Sequence, residues 1–153
     1  MEERENIISL FVKLYNGSPW IDVNILDTLK VISAQQAATK VLPNCNSIWQ
    51  IVDHMVSWRE NVLQRVQGKV LKTPANNYVE TISDTSEKAW SETLERMQRS
   101  QDHWLAFLKR FDTVDYKIKY PTNDMTYYEH IHGIIQHDAY HLGQIVLLAK
   151  MVR

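Results

Sequence analysis

Only four glycines and four prolines interrupt 153 residues, and between them apolar side chains recur at helical spacing in long runs. Such a chain has little to build with except helices. The first run covers residues 2–16, with Ile7, Ile8, Phe11, Val12 and Tyr15 on one side, and Gly17, Ser18 and Pro19 end it. A shorter helical piece is expected over residues 21–30, and Ser33 with Gln36 has capping-box spacing for a brief helix through Ala38. Ser47 with Gln50 repeats that spacing and opens a helix to about Gln67, stopped at Gly68, with Ile51, His54, Trp58, Val62 and Arg65 along one face. Residues 69–83, with Pro74 and Asn76–Asn77, read as a loop. Asp84 with Glu87 suggests the next cap, ahead of an amphipathic run of Trp90, Leu94, Met97, Trp104, Leu105 and Leu108 to about Phe111. Residues 112–125 are less regular, and VDYKIKY alternates enough to predict a short extended segment with no obvious partner strand. Thr126 with Glu129 caps a last helix running to about Met151.

Four long amphipathic helices must bury their apolar stripes against one another, which predicts an all-α four-helix bundle with long connections, as one domain over residues 1–153. The long loops leave helix order open, because simple up-and-down bundles use short ones. A formal charge of -1 and the lack of a basic run interleaved with aromatics argue against nucleic acid. No apolar stretch suits a membrane span, and MEERENIISLF lacks the basic start and apolar run of a signal peptide. Cys45 is the only cysteine, so no internal disulfide forms, and a cytoplasmic location is the expectation.

The chemistry concentrates on histidines. His137 and His141 are spaced i,i+4 in HDAYHLGQIVLL, a turn of about 400° and a rise of about 6 Å, so both rings leave one helix face. Ile134, Ile145 and Leu148 share that face, which turns the rings inward, where imidazoles need hydrogen bonds or a metal. An HxxxH pair is also common in helices that bind nothing. His54, between Ile51 and Trp58, is equally readable as a core histidine or as a third ligand from a facing helix. Three imidazoles on a divalent cation leave coordination positions open, as catalytic sites do.

Other candidates have weaker spacing. His130 lies seven residues before His137, about 10 Å along the axis, and suits a pocket wall, hydrogen-bond partner or proton carrier. His132 points elsewhere, and His103 has no partner at diagnostic spacing. Asp53, Asp138 and Glu129 are possible partners for ring N–H groups, although Asp53 and Asp138 each leave their helix about 100° from the neighbouring histidine, which favours solvent. Trp49, Trp58, Trp90 and Trp104 read as core or pocket wall, and Cys45 as a neutral buried cysteine.

Two passages, SIWQIVDHMVSWRENVLQRVQG (47–68) and TYYEHIHGIIQHDAYHLGQIVLLAK (126–150), resemble the DinB-like superfamily, which includes YfiT-type metal-dependent hydrolases and thiol transferases. The family pattern is a histidine in the second long helix and an HxxxHxGQ segment in the last, matched here by His54, His137, His141, Gly143 and Gln144. The resemblance implies a helical bundle with nonstandard connections, a divalent cation (zinc or nickel foremost, with iron or manganese as alternatives) held by His54, His137 and His141, and a homodimer. For activity it suggests transfer of a low-molecular-weight thiol, such as a bacillithiol-like one, to a small electrophile. There the metal lowers the thiol pKa. A metal-dependent hydrolase and a non-catalytic, stress-associated metal-binding dimer are the alternatives. No general base stands out.

Overall fold

The computed structural model describes residues 2–153. Those residues form six α-helices and no strand: α1 (Glu3–Asn16), α2 (Ile25–Leu29), α3 (Ala34–Ala38), α4 (Ile48–Val66), α5 (Glu87–Leu108) and α6 (Tyr127–Met151). The capping boxes expected at Ser33, Ser47 and Thr126 all form, each with its Gln or Glu partner three residues on. Every one of them satisfies backbone N–H groups that a helix start leaves open.

Four local expectations are corrected. The second helix is shorter than residues 21–30: Asp22 adopts a left-handed φ of 62°, and the Asn24 side chain caps from within that stretch by accepting from Asp27 N at 2.8 Å. Helix α5 is capped by Ser86 rather than Asp84, because the Asp84 carboxylate accepts from Ser86 N and leaves Ser86 Oγ to accept from Ala89 N. The alternating VDYKIKY does not form a strand. Asp112 accepts from Val114 N and starts a 3₁₀ turn over Thr113–Lys117, and only Lys119 makes a bridge, to Thr126. Cys45 is exposed, since it lies in the turn before α4 rather than against the core.

Two apolar clusters fill the interior and give the helix directions. One gathers Leu14 and Tyr15 of α1, the first half of α4 (Ile48 to Val56), Trp90 and Met97 of α5, and Leu142, Ile145 and Leu148 of α6. The other gathers Ile7 and Phe11, then Val62, Leu63 and Val66, then Trp104, Phe107 and Leu108, then Ile131 and Ile134. Helices α4 and α5 therefore run from the first cluster to the second, and α1 and α6 run the opposite way. Trp104 is completely buried with its N–H donated to Arg59 O, so truncating it would cost about 3–5 kcal/mol.

A connection between two parallel helices has to travel back the length of one. Here the segment from Gln67 to Ser86 does so along α4 as an extended strap. Leu71 O accepts from Arg65, Tyr78 OH from Asn61, Asn77 Oδ1 from Trp58, and Glu80 O from Gln50. The sequence rises from 71 to 80 as the α4 partner falls from 65 to 50, so the strap lies antiparallel to the helix. Asn77 and Tyr78 hold left-handed φ values of 53° and 59°, an unusual pair of non-glycine residues where the strap bends over the middle of α4.

Candidate metal centre

Helix α4 presents His54, Trp58, Val62 and Arg65 in one stripe, and α6 faces it with His130, Ile134, His137 and His141. Between them lies a cavity of about 600 Å³. At one end the three histidines meet: His137 Nε2 is 3.0 Å from His54 Nε2 and 3.1 Å from His141 Nε2. His54 is buried and the other two are half-buried.

Hydrogen bonds on the far side of two rings decide what those nitrogens can do. Asn77 O lies 2.6 Å from His54 Nδ1, and a carbonyl oxygen only accepts, so Nδ1 carries the proton. Gln144 Oε1 lies 2.7 Å from His141 Nδ1 and sets the same tautomer. Both Nε2 atoms therefore present lone pairs toward His137 Nε2, which has at most one hydrogen to share. Burial, followed by the neighbouring His141, His54 and Arg59, pushes His137 down to about 3. Burial is also the main reason that His141 is lowered, against the opposing pull of Gln144. At least one of the two contacts therefore sets lone pair against lone pair, which a cation among the three rings would relieve.

A divalent metal fits this donor set. Nitrogens about 2.0–2.1 Å from one zinc ion at tetrahedral angles stand about 3.3 Å apart, close to the separations seen here. One ligating atom from each of His54, His137 and His141 lies within 4.8 Å of the others, and among the described residues this is the group of ligating side chains that could hold an ion.

The surrounding residues divide in ways their sequence positions did not reveal. Asp138 does not face solvent: it is 1% exposed and paired with Arg59, whose guanidinium also donates to Ser100 Oγ and Gln101 Oε1. Its second oxygen has no partner and stands 4.0 Å from His137 Nδ1, which has none either. Asp53 is half-buried and pairs with Arg96 across to α5, away from the histidines. Burial raises its carboxyl, against the opposing charge of Arg96. Glu129 sits on the cavity wall with its carboxylate engaged by Thr126 N and Oγ1, bonds that hold its pKa low. His130 is on the same wall, buried, with Nδ1 donating to Thr126 O at 2.9 Å. His132 packs on Tyr128 near Glu3, and His103 is exposed. Trp49, Trp90 and Trp104 are core, while Trp58 walls the cavity. The residue that sequence reasoning missed is Asn77. It acts on His54 through a backbone carbonyl, which any residue type could supply, while its side chain accepts from Trp58.

Against known families, the model of the DinB superfamily matches residues 23–145, a span that contains all three histidines. The chain belongs to the DinB superfamily. No curated protein and no solved structure gives a significant match. The fold is accordingly all-helical and DinB-like, with a histidine triad able to take a metal. No helix among the described residues is long and apolar enough to cross a membrane.

Proposed function

We propose that this DinB superfamily member is a divalent-metal-dependent enzyme that transfers a low-molecular-weight thiol to a small electrophile, working from the α4–α6 cavity of a four-helix bundle. The observation that carries this reading is the convergence of the His54, His137 and His141 Nε2 atoms, two of them held as lone-pair donors by Asn77 and Gln144. The three histidines would hold zinc or nickel, with iron or manganese as alternatives. When bound, the cation supplies positive charge that lowers the pKa of a thiol brought to it.

The chain's own residues supply the rest. A neutral three-imidazole shell would leave the ion's net charge intact and, with only three protein ligands, would leave room for a substrate atom. Asn77 and Gln144 fix the ring orientations. Trp58, Val62 and Ile134 line the cavity with apolar surface and would limit water around a thiol brought to the histidine end. The reading includes a homodimer, for which the exposed apolar residues Leu10, Trp20 and Ile21 offer surface.

The same donor set suits hydrolysis, because a cation that lowers a thiol pKa lowers that of water too. A screen of metal-replete protein with thiols plus electrophiles, and separately with esters and amides, decides between them. Metal content is measured alongside on protein purified without a histidine tag. Thiol transfer that disappears in His141→Ala together with the metal is the expected result. Transfer that survives complete loss of the ion overturns the proposal. Full metal loading with no turnover in either panel leaves a non-catalytic metal-binding protein.

A further inference from the structure

The end of the cavity away from the histidines holds a feature that metal binding does not use. Arg65 stands in the cavity wall, 8% exposed, eleven residues and about 16 Å along α4 from His54. Among the described residues it makes no ion pair, whereas the comparably buried Arg59 has Asp138. Its Nε has no hydrogen-bond partner, and Nη2 donates only to Leu71 O at 3.2 Å. The guanidinium lies between Trp58 and Tyr120, 5.5 and 5.0 Å from their ring centroids. Those faces hold it in place without neutralising it.

A cation in the last turn of a helix offsets the exposed carbonyls there. That accounts for an arginine at this position but not for burying one without a counter-ion, which is costly. The only acidic side chain on the cavity wall is Glu129, and its carboxylate is engaged by the cap of α6. Asn123 and His130 lie at the same end. Because Thr126 O takes the His130 Nδ1 proton, His130 Nε2 accepts from Asn123 Nδ2 at 3.4 Å, and the second N–H of that amide remains to be used. Between this end and the histidines the walls are apolar, and Gly133 keeps α6 clear, since a Cβ there would meet nothing within 4 Å.

We propose that the cavity receives an elongated small molecule whose end remote from the histidines carries a carboxylate or a phosphate, bound by Arg65 with Asn123 beside it. Arginine suits either anion because its planar donors match two oxygens at once. The link to the histidine end rests on the metal-dependent reading above, whereas the anion subsite stands without it.

The test titrates the full chain, as purified and again after chelation, with octanoate, octyl phosphate and octanol by isothermal calorimetry. At least one of the two anions is expected to bind about tenfold more tightly than octanol in both preparations, the scale of one charge-assisted hydrogen bond. The tighter of the two identifies which anion the subsite favours. That preference should vanish in Arg65→Gln. Equal binding of anions and alcohol, or a preference that survives Arg65→Gln, overturns the proposal. So does a preference seen only before chelation, because the anion would then be sitting on the metal. A readout that needs no folded variant is the Arg65 Nε–H resonance of the parent, which should shift with octanoate and not with octanol; no shift counts against the subsite. Metal content is recorded separately, so loss of the anion preference and loss of the ion are told apart.

Discussion

Two polar clusters lie side by side on α6, and they solve burial differently. Around Asp138, the charge is met from within: Arg59 lies against it, and Ser100 and Gln101 accept from the other two guanidinium nitrogens. Around His137 and His141, the outer nitrogens of His54 and His141 are tied down while the inner ones converge on His137 Nε2 at 3.0 and 3.1 Å. The first arrangement pairs its charges within the fold, with one carboxylate oxygen of Asp138 left over. The second gathers three neutral imidazoles in a set that could hold a cation. Adjacent residues of one helix, 137 and 138, therefore face different partners, the histidine two other imidazoles and the aspartate a buried guanidinium, because their side chains leave the axis about 100° apart.

The comparison breaks most readily at Asp138. Asp138→Ala should cost about 3–5 kcal/mol in urea unfolding, since it strands a buried guanidinium. Replacing both partners, Arg59→Met with Asp138→Leu, should recover most of that loss. A single-variant cost under about 1 kcal/mol would show that the pair is not a closed structural unit. On the other side of the contrast, Gln144→Ala should leave folding nearly unchanged yet weaken zinc binding about 10–100-fold, the usual effect of removing the group that orients a ligand ring. Competition with a chromophoric chelator measures it, and an unchanged affinity would mean that His141 needs no such support.

The smallest effect sharpens the edge of the cavity. Glu129 has a lowered pKa because its carboxylate accepts from Thr126 N and Oγ1. Since the folded value lies below the unfolded one, about 4.3, its contribution is full above that value and is lost as pH falls through the folded value. The difference in melting temperature between the parent and Glu129→Gln should therefore narrow on going from neutral pH to about pH 3. A constant difference would place the contribution in the helix cap's geometry rather than its charge.

Much of this was legible beforehand, for reasons that are local. Capping boxes are three-residue events, so Ser33, Ser47 and Thr126 could be read directly. Helical periodicity alone aligns His54 with Trp58, Val62 and Arg65, and His137 with His141. What could not be read depended on contacts between distant segments. Asp138 looked solvent-facing because periodicity within α6 knows nothing of Arg59 on another helix. Asp84 and Ser86 competed for one cap two residues apart, and VDYKIKY had the alternation of a strand without a sheet to join. The role of Asn77 was invisible because it rests on where the chain must return, not on which side chain it carries.

The return path over α4 has a consequence for how such a protein can change. Its floor is made of two helices whose spacing is locked by the interior, while its ceiling is a single length of irregular chain anchored at a few points. Residues added to or trimmed from that ceiling away from Asn77, whose carbonyl holds the His54 ring, would reshape the entrance and leave the three histidines where they are. One histidine cluster could in this way be offered to quite different molecules by edits confined to the twenty positions between α4 and α5, none of them helical.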